Sequence, residues 1–433
     1  MRLSRPVPLP GGTSPGNICT IMQTKHASWT PFGVRPRARA ATAPASRPSF
    51  AATDSIRRRF ALLGALLATT LALAGASHAQ SRPGWGQGFY VSGGNLYDAN
   101  GSQFIIHGPN ANVAWVDQSQ AIKNEIPKSG ANAVRIVTRQ AYGNDGNFPV
   151  GGRDAIIDSV IGNSQVPILD YHDTTNGTTY DAVYDANGRN LGLVGAVWFW
   201  TSSDMVRLCQ KYEKQLIVNI GNEWGPYETN PWTGETSTGW RDGYLKAIAA
   251  IRNAGINNCL MIDAGGDGQD YRTVRDYGQA LLDADPQHNI IFSIHFYDLW
   301  RSRSQGGGGI NDASPWIIED AVDTLKNKGL PFVAGEYGYT NWNVHQPYQT
   351  KEMLQYLKWN GIGEMPWEWG AGEPSLSLVN TSNYTFNSSN DLTSLGALCI
   401  YDGEVGWLGR AQKASIFNNS SSSSGDPSNL TAQ

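Results

Sequence analysis

From about residue 88 the chain alternates short apolar runs with stretches of helical spacing. Runs at 104–108, 133–137, 166–171, 216–220, 259–263, 290–295, 332–335 and 362–367 are bounded by Gly, Pro or polar residues. Runs of that length and punctuation read as strands buried on both faces. Between them, 203–214, 243–254 and 316–328 carry apolar residues at helical spacing. Eight strands, each followed by a helix or a loop, predict an α/β chain closed into a (β/α)8 TIM barrel rather than an open sheet. No Gly-rich dinucleotide fingerprint follows an early strand, which also disfavours the open sheet. Ahead of the barrel, apolar segments at 89–91, 96–98 and 103–106 surround an Asn100-Gly101 turn. That pattern predicts an N-terminal β-hairpin lid over one barrel end.

The ends of the runs are polar in a consistent way. The fourth closes on Asn222-Glu223-Trp224 and the seventh on Gly335-Glu336-Tyr337. Arg135 lies in the second, His172-Asp173 closes the third, and His295 with Tyr297 closes the sixth. Trp367 and Trp369 close the eighth. Singly, each has a packing explanation: an ion pair, a satisfied core histidine, a buried aromatic. Together they are in register with the strand ends where a parallel barrel does its chemistry. Glu223 and Glu336 are three βα units apart, which sets them across one barrel mouth. Two carboxyl groups so placed can cut a glycosidic bond, and a separation of about 5–5.5 Å gives retention.

Composition removes other classes. Arg57-Arg58-Arg59-Phe60 precedes an apolar run at 61–76 and Ser77-His78-Ala79, the pattern of a secretory signal peptide over 57–79 cut after Ala79. The paired arginines also suit twin-arginine export. Residues 1–56, rich in Arg, Pro, Ala and Ser, read as a disordered extension or a mis-assigned start. Residues 80–417 are then the catalytic domain, and 418–433 a flexible Ser-rich tail. Residues 1–79 hold ten Lys and Arg and one Asp, so the remainder has 23 basic and 36 acidic residues, a formal charge of −13. That charge argues against nucleic acid or an anionic membrane as partner and does not oppose a neutral polysaccharide. Cys209, Cys259 and Cys399 remain after processing, an odd number with no metal-type spacing and no disulfide framework. The expectation is a secreted monomer without cofactor or metal.

These motifs resemble glycoside hydrolase family 5 across nearly all of 88–410. Ala133-Val134-Arg135-Ile136-Val137, Tyr171-His172-Asp173 and Val218-Asn219-Ile220-Gly221-Asn222-Glu223-Trp224 look closer still to its bacterial β-1,4-mannanases. Leu260-Met261-Ile262-Asp263-Ala264 and Phe292-Ser293-Ile294-His295-Phe296-Tyr297 continue the likeness. Three stretches depart from it. Pro109-Asn110-Ala111-Asn112-Val113-Ala114-Trp115 stands where His and aromatics are common after the first strand, Glu368 stands between tryptophans where a small residue is usual, and the 173–200 loop is long.

The resemblance implies Glu336 as nucleophile and Glu223 as acid/base. Repulsion from Glu336 is expected to raise the Glu223 pKa, while Arg135 and Tyr297 keep Glu336 ionised. Asn222 is expected on the sugar 2-hydroxyl, His172 and His295 on hydroxyls or the acid, and Trp367 beneath the cleaved sugar. Trp224 and Trp115, with Trp232, Trp300, Trp342 and Trp369, supply further candidate stacking surface. Glu368, by strand alternation, is expected to point into the barrel wall. The reading is therefore a secreted retaining endo-β-1,4-mannanase, with β-1,4-glucan as the competing substrate. A metal-dependent barrel hydrolase using His107, His172 and His295, and a non-catalytic sugar-binding protein, are the rivals from other classes.

Overall fold

The computed structural model describes residues 87–140, 150–297, 300, 315–338, 347–370 and 376–418. The predicted leader, the extension before it, the tail beyond 418 and Trp342 lie outside the described residues. His78–Gln433 forms one compact unit. Its strands are β1 (Tyr90–Ser92), β2 (Asn95–Tyr97), β3 (Asn110–Asn112), β4 (Ala133–Thr138), β5 (Val166–Tyr171), β6 (Ile217–Asn219), β7 (Leu260–Asp263), β8 (Ile290–Phe296), β9 (Phe332–Tyr337) and β10 (Gly363–Glu364). Its helices are α1 (Ser119–Asn124), α2 (Val150–Gly162), α3 (Leu193–Thr201), α4 (Ser203–Lys211), α5 (Gly239–Asn253), α6 (Tyr271–Ala284), α7 (Pro315–Asn327), α8 (Pro347–Trp359) and α9 (Ser394–Tyr401). Among the described residues no helix is long and apolar enough to cross a membrane.

Strands β3 to β10 form one eight-stranded sheet in chain order, each pair parallel. The ring closes where the first and last strands meet: His107 pairs with Glu364, and Asn110 N–H donates to the Pro366 carbonyl at 3.1 Å. Helices follow the strands and cover their outer faces, so Val134, Ile136, Leu169, Val218, Ile262 and Phe292 pack outward into one large apolar layer. The fold is the (β/α)8 barrel expected from the alternation.

Inside the ring, the strands' period of two sorts residues by height. The lower interior is apolar, filled by Ala133, Val166, Ile168, Ile217, Cys259, Met261, Ile291, Val333 and Met365. Two residues further along the same faces stand Arg135, Asp170, Asn219 and Asp263, with His295 four beyond Ile291, all fully buried. The hairpin closes the apolar end, since Phe89, Val91, Leu96, Phe104 and Ile106 join that lower cluster. The upper, polar end is the C-terminal end of the strands.

Three expectations are corrected in detail. The first regular barrel strand is Asn110–Asn112 rather than 104–108, because Pro109 has no N–H for a ladder and a Cβ at Gly108 would meet the Ala133 carbonyl oxygen at 1.9 Å. The hairpin turns at Gly93-Gly94, both at positive φ (53° and 76°), as a two-residue primed turn requires. Asn100-Gly101 makes a second reversal with one pairing, Tyr97 to Gln103. The 173–200 stretch is not all loop: it runs into α3, whose Leu193, Ala196, Phe199 and Trp200 are buried.

Candidate active site

Glu223 and Glu336 reach the same polar mouth by different routes. Glu223 follows β6 with its backbone at φ +48°, a left-handed conformation uncommon for a residue with a side chain. Its N–H donates to Asp263 Oδ2 at 3.0 Å, which fixes that turn. Glu336 lies inside β9, where simple alternation from Val333 would send it to the outer wall. The β8–β9 register slips by one residue, Ile294 pairing with Ala334 and His295 with Glu336. Gly335 is the extra residue, and its bulge turns the Glu336 side chain inward. Only glycine fits there, since a Cβ at Gly335 would sit 1.9 Å from Ser293 Oγ.

Carboxyl oxygens of Glu223 and Glu336 and a ring nitrogen of His295 all lie within 4.8 Å of one another. Arg135 Nη1 donates to Glu336 Oε1 at 2.5 Å, and the Tyr297 hydroxyl to Oε2 at 3.0 Å. The Arg135 guanidinium is held from every side: Nε to Asn219 Oδ1 (2.7 Å), Nη1 to Asn110 Oδ1 (2.9 Å), Nη2 to Asn222 Oδ1 (2.7 Å), with Asp170 at 3.1 Å. Burial alone would lower the Arg135 pKa, but Asp170, Glu336 and Asp263 raise it above its ordinary value, so the charge is permanent. Glu336 thus faces a fixed cation and a phenol.

Glu223 faces a different partner. His295 Nδ1 lies 2.9 Å from its Oε1 and 3.6 Å from Glu336, and Nε2 lies 3.4 Å from Asp263. Burial would lower the His295 pKa; Glu336, Asp263 and Glu223 together raise it to about 9. The Glu223 carboxyl is raised to about 7, first by burial and then by Glu336, with His295 opposing. The shift has the expected direction, but desolvation rather than repulsion is its larger cause. With 15 % of its side chain exposed, Glu223 remains open to the mouth.

Other expected residues divide. His172 accepts the Asn222 amide on Nε2 (3.2 Å) with Nδ1 on Asp170 (2.7 Å), so it orients Asn222. Asn222 is fully buried, and its amide also reaches Thr175 Oγ1 at 2.8 Å. Trp367 lies along the His172 ring (centroids 5.5 Å, 22°), and Trp115, 46 % exposed, stands edge-on to the same ring at 5.3 Å. These three rings form one wall of the mouth.

Trp224 is a correction: it is fully buried, its indole N–H bonds the Thr179 carbonyl, and its ring packs against Gly243 and Tyr244. It is core and cannot stack on a sugar. Trp300 and Trp369 are buried as well, whereas Trp232 is exposed against Tyr227. Glu368 is the other correction. The β9–β10 ladder ends at Glu364, so alternation does not carry to residue 368. Its carboxyl lies near the Asn112 side chain and feels the charges of Glu336 and His172.

Sequence reading missed Asn110, Asp170, Asn219 and Asp263, the layer that holds Arg135, His172 and the Glu223 backbone. The signal was there: each sits two residues beyond an inward apolar residue or at a strand's start. The histidines of the metal rival are engaged separately, His107 by Glu364 and Arg410, His172 by Asp170, His295 by Glu223. Among the described residues, Glu223, His295 and Glu336 are the group whose ligand atoms lie close enough together to hold an ion.

The family model described as Cellulase (glycosyl hydrolase family 5) matches residues 97–373. A mannan endo-1,4-beta-mannosidase of Salipaludibacillus agaradhaerens is 31% identical over 299 residues, 68% of this chain and 85% of the relative. One from Streptomyces lividans is 29% identical over 373 residues, 84% of this chain and 86% of its own. The crystal structure of a beta-mannanase from Streptomyces thermolilacinus with mannohexaose superposes with a TM-score of 0.61 at 26% identity, covering 76% of this chain and 98% of that one.

Proposed function

Since the chain belongs to glycosyl hydrolase family 5 and is an O-glycosyl hydrolase, we propose that it is an exported, retaining endo-β-1,4-mannanase, with Glu336 as nucleophile and Glu223 as acid/base. The observation that carries this is the pair itself: two carboxyl groups within 4.8 Å at one mouth, one beside a fixed cation and one whose pKa is raised to about 7. Glu336 attacks the anomeric carbon while Glu223 gives its proton to the departing glycosidic oxygen. A glycosyl ester of Glu336 forms and the aglycone leaves. Glu223, now a carboxylate, takes a proton from water as that water attacks the same carbon, and the ester breaks.

The surrounding residues have roles in that scheme. Arg135 and Tyr297 hold Glu336 in line, His295 holds Glu223, and a sugar rests on the Trp367 face turned away from His172. The 2-hydroxyl reaches the Asn222 amide by replacing Thr175 Oγ1 as its partner. Two of the relatives named above act on mannan, which favours mannan over glucan here. Export through the 57–79 segment belongs to the same proposal.

Reducing-sugar release from galactomannan, glucomannan and carboxymethylcellulose, measured side by side, tests the substrate. Mannan cleavage is expected to dominate; hydrolysis confined to the cellulose derivative rejects mannan. Glu336→Ala is expected to abolish turnover, and activity lost to a chelator but retained in that variant would overturn the assignment.

A further inference from the structure

Glu368 has no part in that mechanism, yet it is 4 % exposed and carries a carboxyl oxygen, Oε2, that has no partner among the described residues. The Asn112 side chain at the end of β3 faces that carboxyl and holds its pKa down, and Asn112 Oδ1 is likewise buried without a partner there. Two neighbouring buried oxygens, one from each side of the seam that closes the barrel, thus lack donors. Leaving such acceptors unmet is costly, and native structures rarely do so without a reason. The missing complement is a group of hydroxyl donors. Glu368 directly follows Trp367, whose ring lines the mouth, and the titratable groups facing it are Glu336 and His172.

We propose that Glu368 is a substrate-binding residue, which with Asn112 takes the hydroxyls of a pyranose on the non-leaving side of the cleaved bond. The side follows from topology: Glu223, which must face the departing oxygen, follows β6, whereas Glu368 and Asn112 sit at the β10–β3 seam across the ring. This rests on the glycosidase reading above. Burial first, and Glu336 second, raise the Glu368 carboxyl to about 7, with Asn112 and His172 opposing.

A water bridging the two oxygens would satisfy them equally, and substitution separates the possibilities. β-1,4-Mannohexaose is titrated calorimetrically into Glu336→Ala, which binds without turnover, and into Glu336→Ala carrying Glu368→Ala or Glu368→Gln. The alanine is expected to weaken binding about tenfold, the worth of one or two hydrogen bonds, and glutamine to recover most of that loss. In the Glu336-containing background, Glu368→Ala raises KM while kcat falls less. Unchanged affinity in the alanine variant overturns the proposal. Equal loss in both variants, with a matching fall in melting temperature, assigns Glu368 a structural role and overturns it too. Failure of the parent chain to cut any β-mannan or β-glucan would instead sink the glycosidase reading.

Discussion

At Glu223 both backbone and side chain are held away from their preferred states. The left-handed backbone costs about 1 kcal/mol, and burial of the carboxyl disfavours its charge. The two have opposite visibility in solution. A carboxyl raised from 4.5 to about 7 contributes stability that is complete below the unfolded value and lost as pH rises through about 7. Glu223→Gln removes that titration. It is expected to melt higher than the parent at pH 8, with the gap closing by pH 5, as thermal unfolding across pH will report. The same variant should lose roughly 10²–10⁴ in kcat, the usual worth of a general acid. In the parent, kcat/KM should fall about tenfold per pH unit above about 7, as the acid loses its proton. A profile flat to pH 9 would show that another group donates it.

Among the elements, β9 shows how little separates a working strand from an inert one. Without the bulge at Gly335, Glu336 would face the helices and leave Arg135 to Asp170 and Asp263 alone. Gly335→Ala drives a methyl into Ser293 Oγ, at a cost of roughly 1–3 kcal/mol by overpacking. It is expected to reduce kcat/KM far more than its loss of stability explains. Adding Ser293→Gly makes room and should restore much of the activity, which a double-mutant cycle of kcat/KM and melting temperature measures. Such features explain which parts were legible in advance. Glu223 and Glu336 stood out because a charge closing an apolar run is conspicuous. The bulge did not, because register belongs to a pair of strands and cannot be read from one. Asp263 and Asp170 looked like strand endings, and β3 reads Asn-Ala-Asn, which no apolar pattern marks as a buried strand. Glu368 was misplaced by extending alternation past the point where the ladder stops.

For the molecule as a whole, closure depends on a segment far from the chemistry. Glu364 of the last strand accepts from His107 Nδ1 at 2.8 Å and from Arg410 Nη2 at 2.7 Å, so three parts of the chain share one buried carboxylate. Beyond Arg410 the chain crosses beneath the ring: Asn132 bonds the Gln412 carbonyl, Ser415 bonds Asp98, and Ala414, Ile416 and Phe417 pack on the lower cluster. Truncation after Phe417 is expected to leave the melting temperature unchanged, whereas truncation after Arg410 should lower it by several degrees. Equal effects from the two truncations would show that the crossing segment adds nothing.

The oily floor beneath Arg135, stoppered by Phe89 and Phe104, leaves the polar mouth as the doorway to the reacting centre among the described residues. On the retaining mechanism proposed above, whatever resolves the ester on Glu336 must come in through the space that the first product has just vacated. Water and the free end of a second sugar chain therefore queue for the same threshold. In concentrated oligosaccharide the proposed mechanism predicts products longer than the substrate beside the shorter ones, which chromatography of the reaction would report.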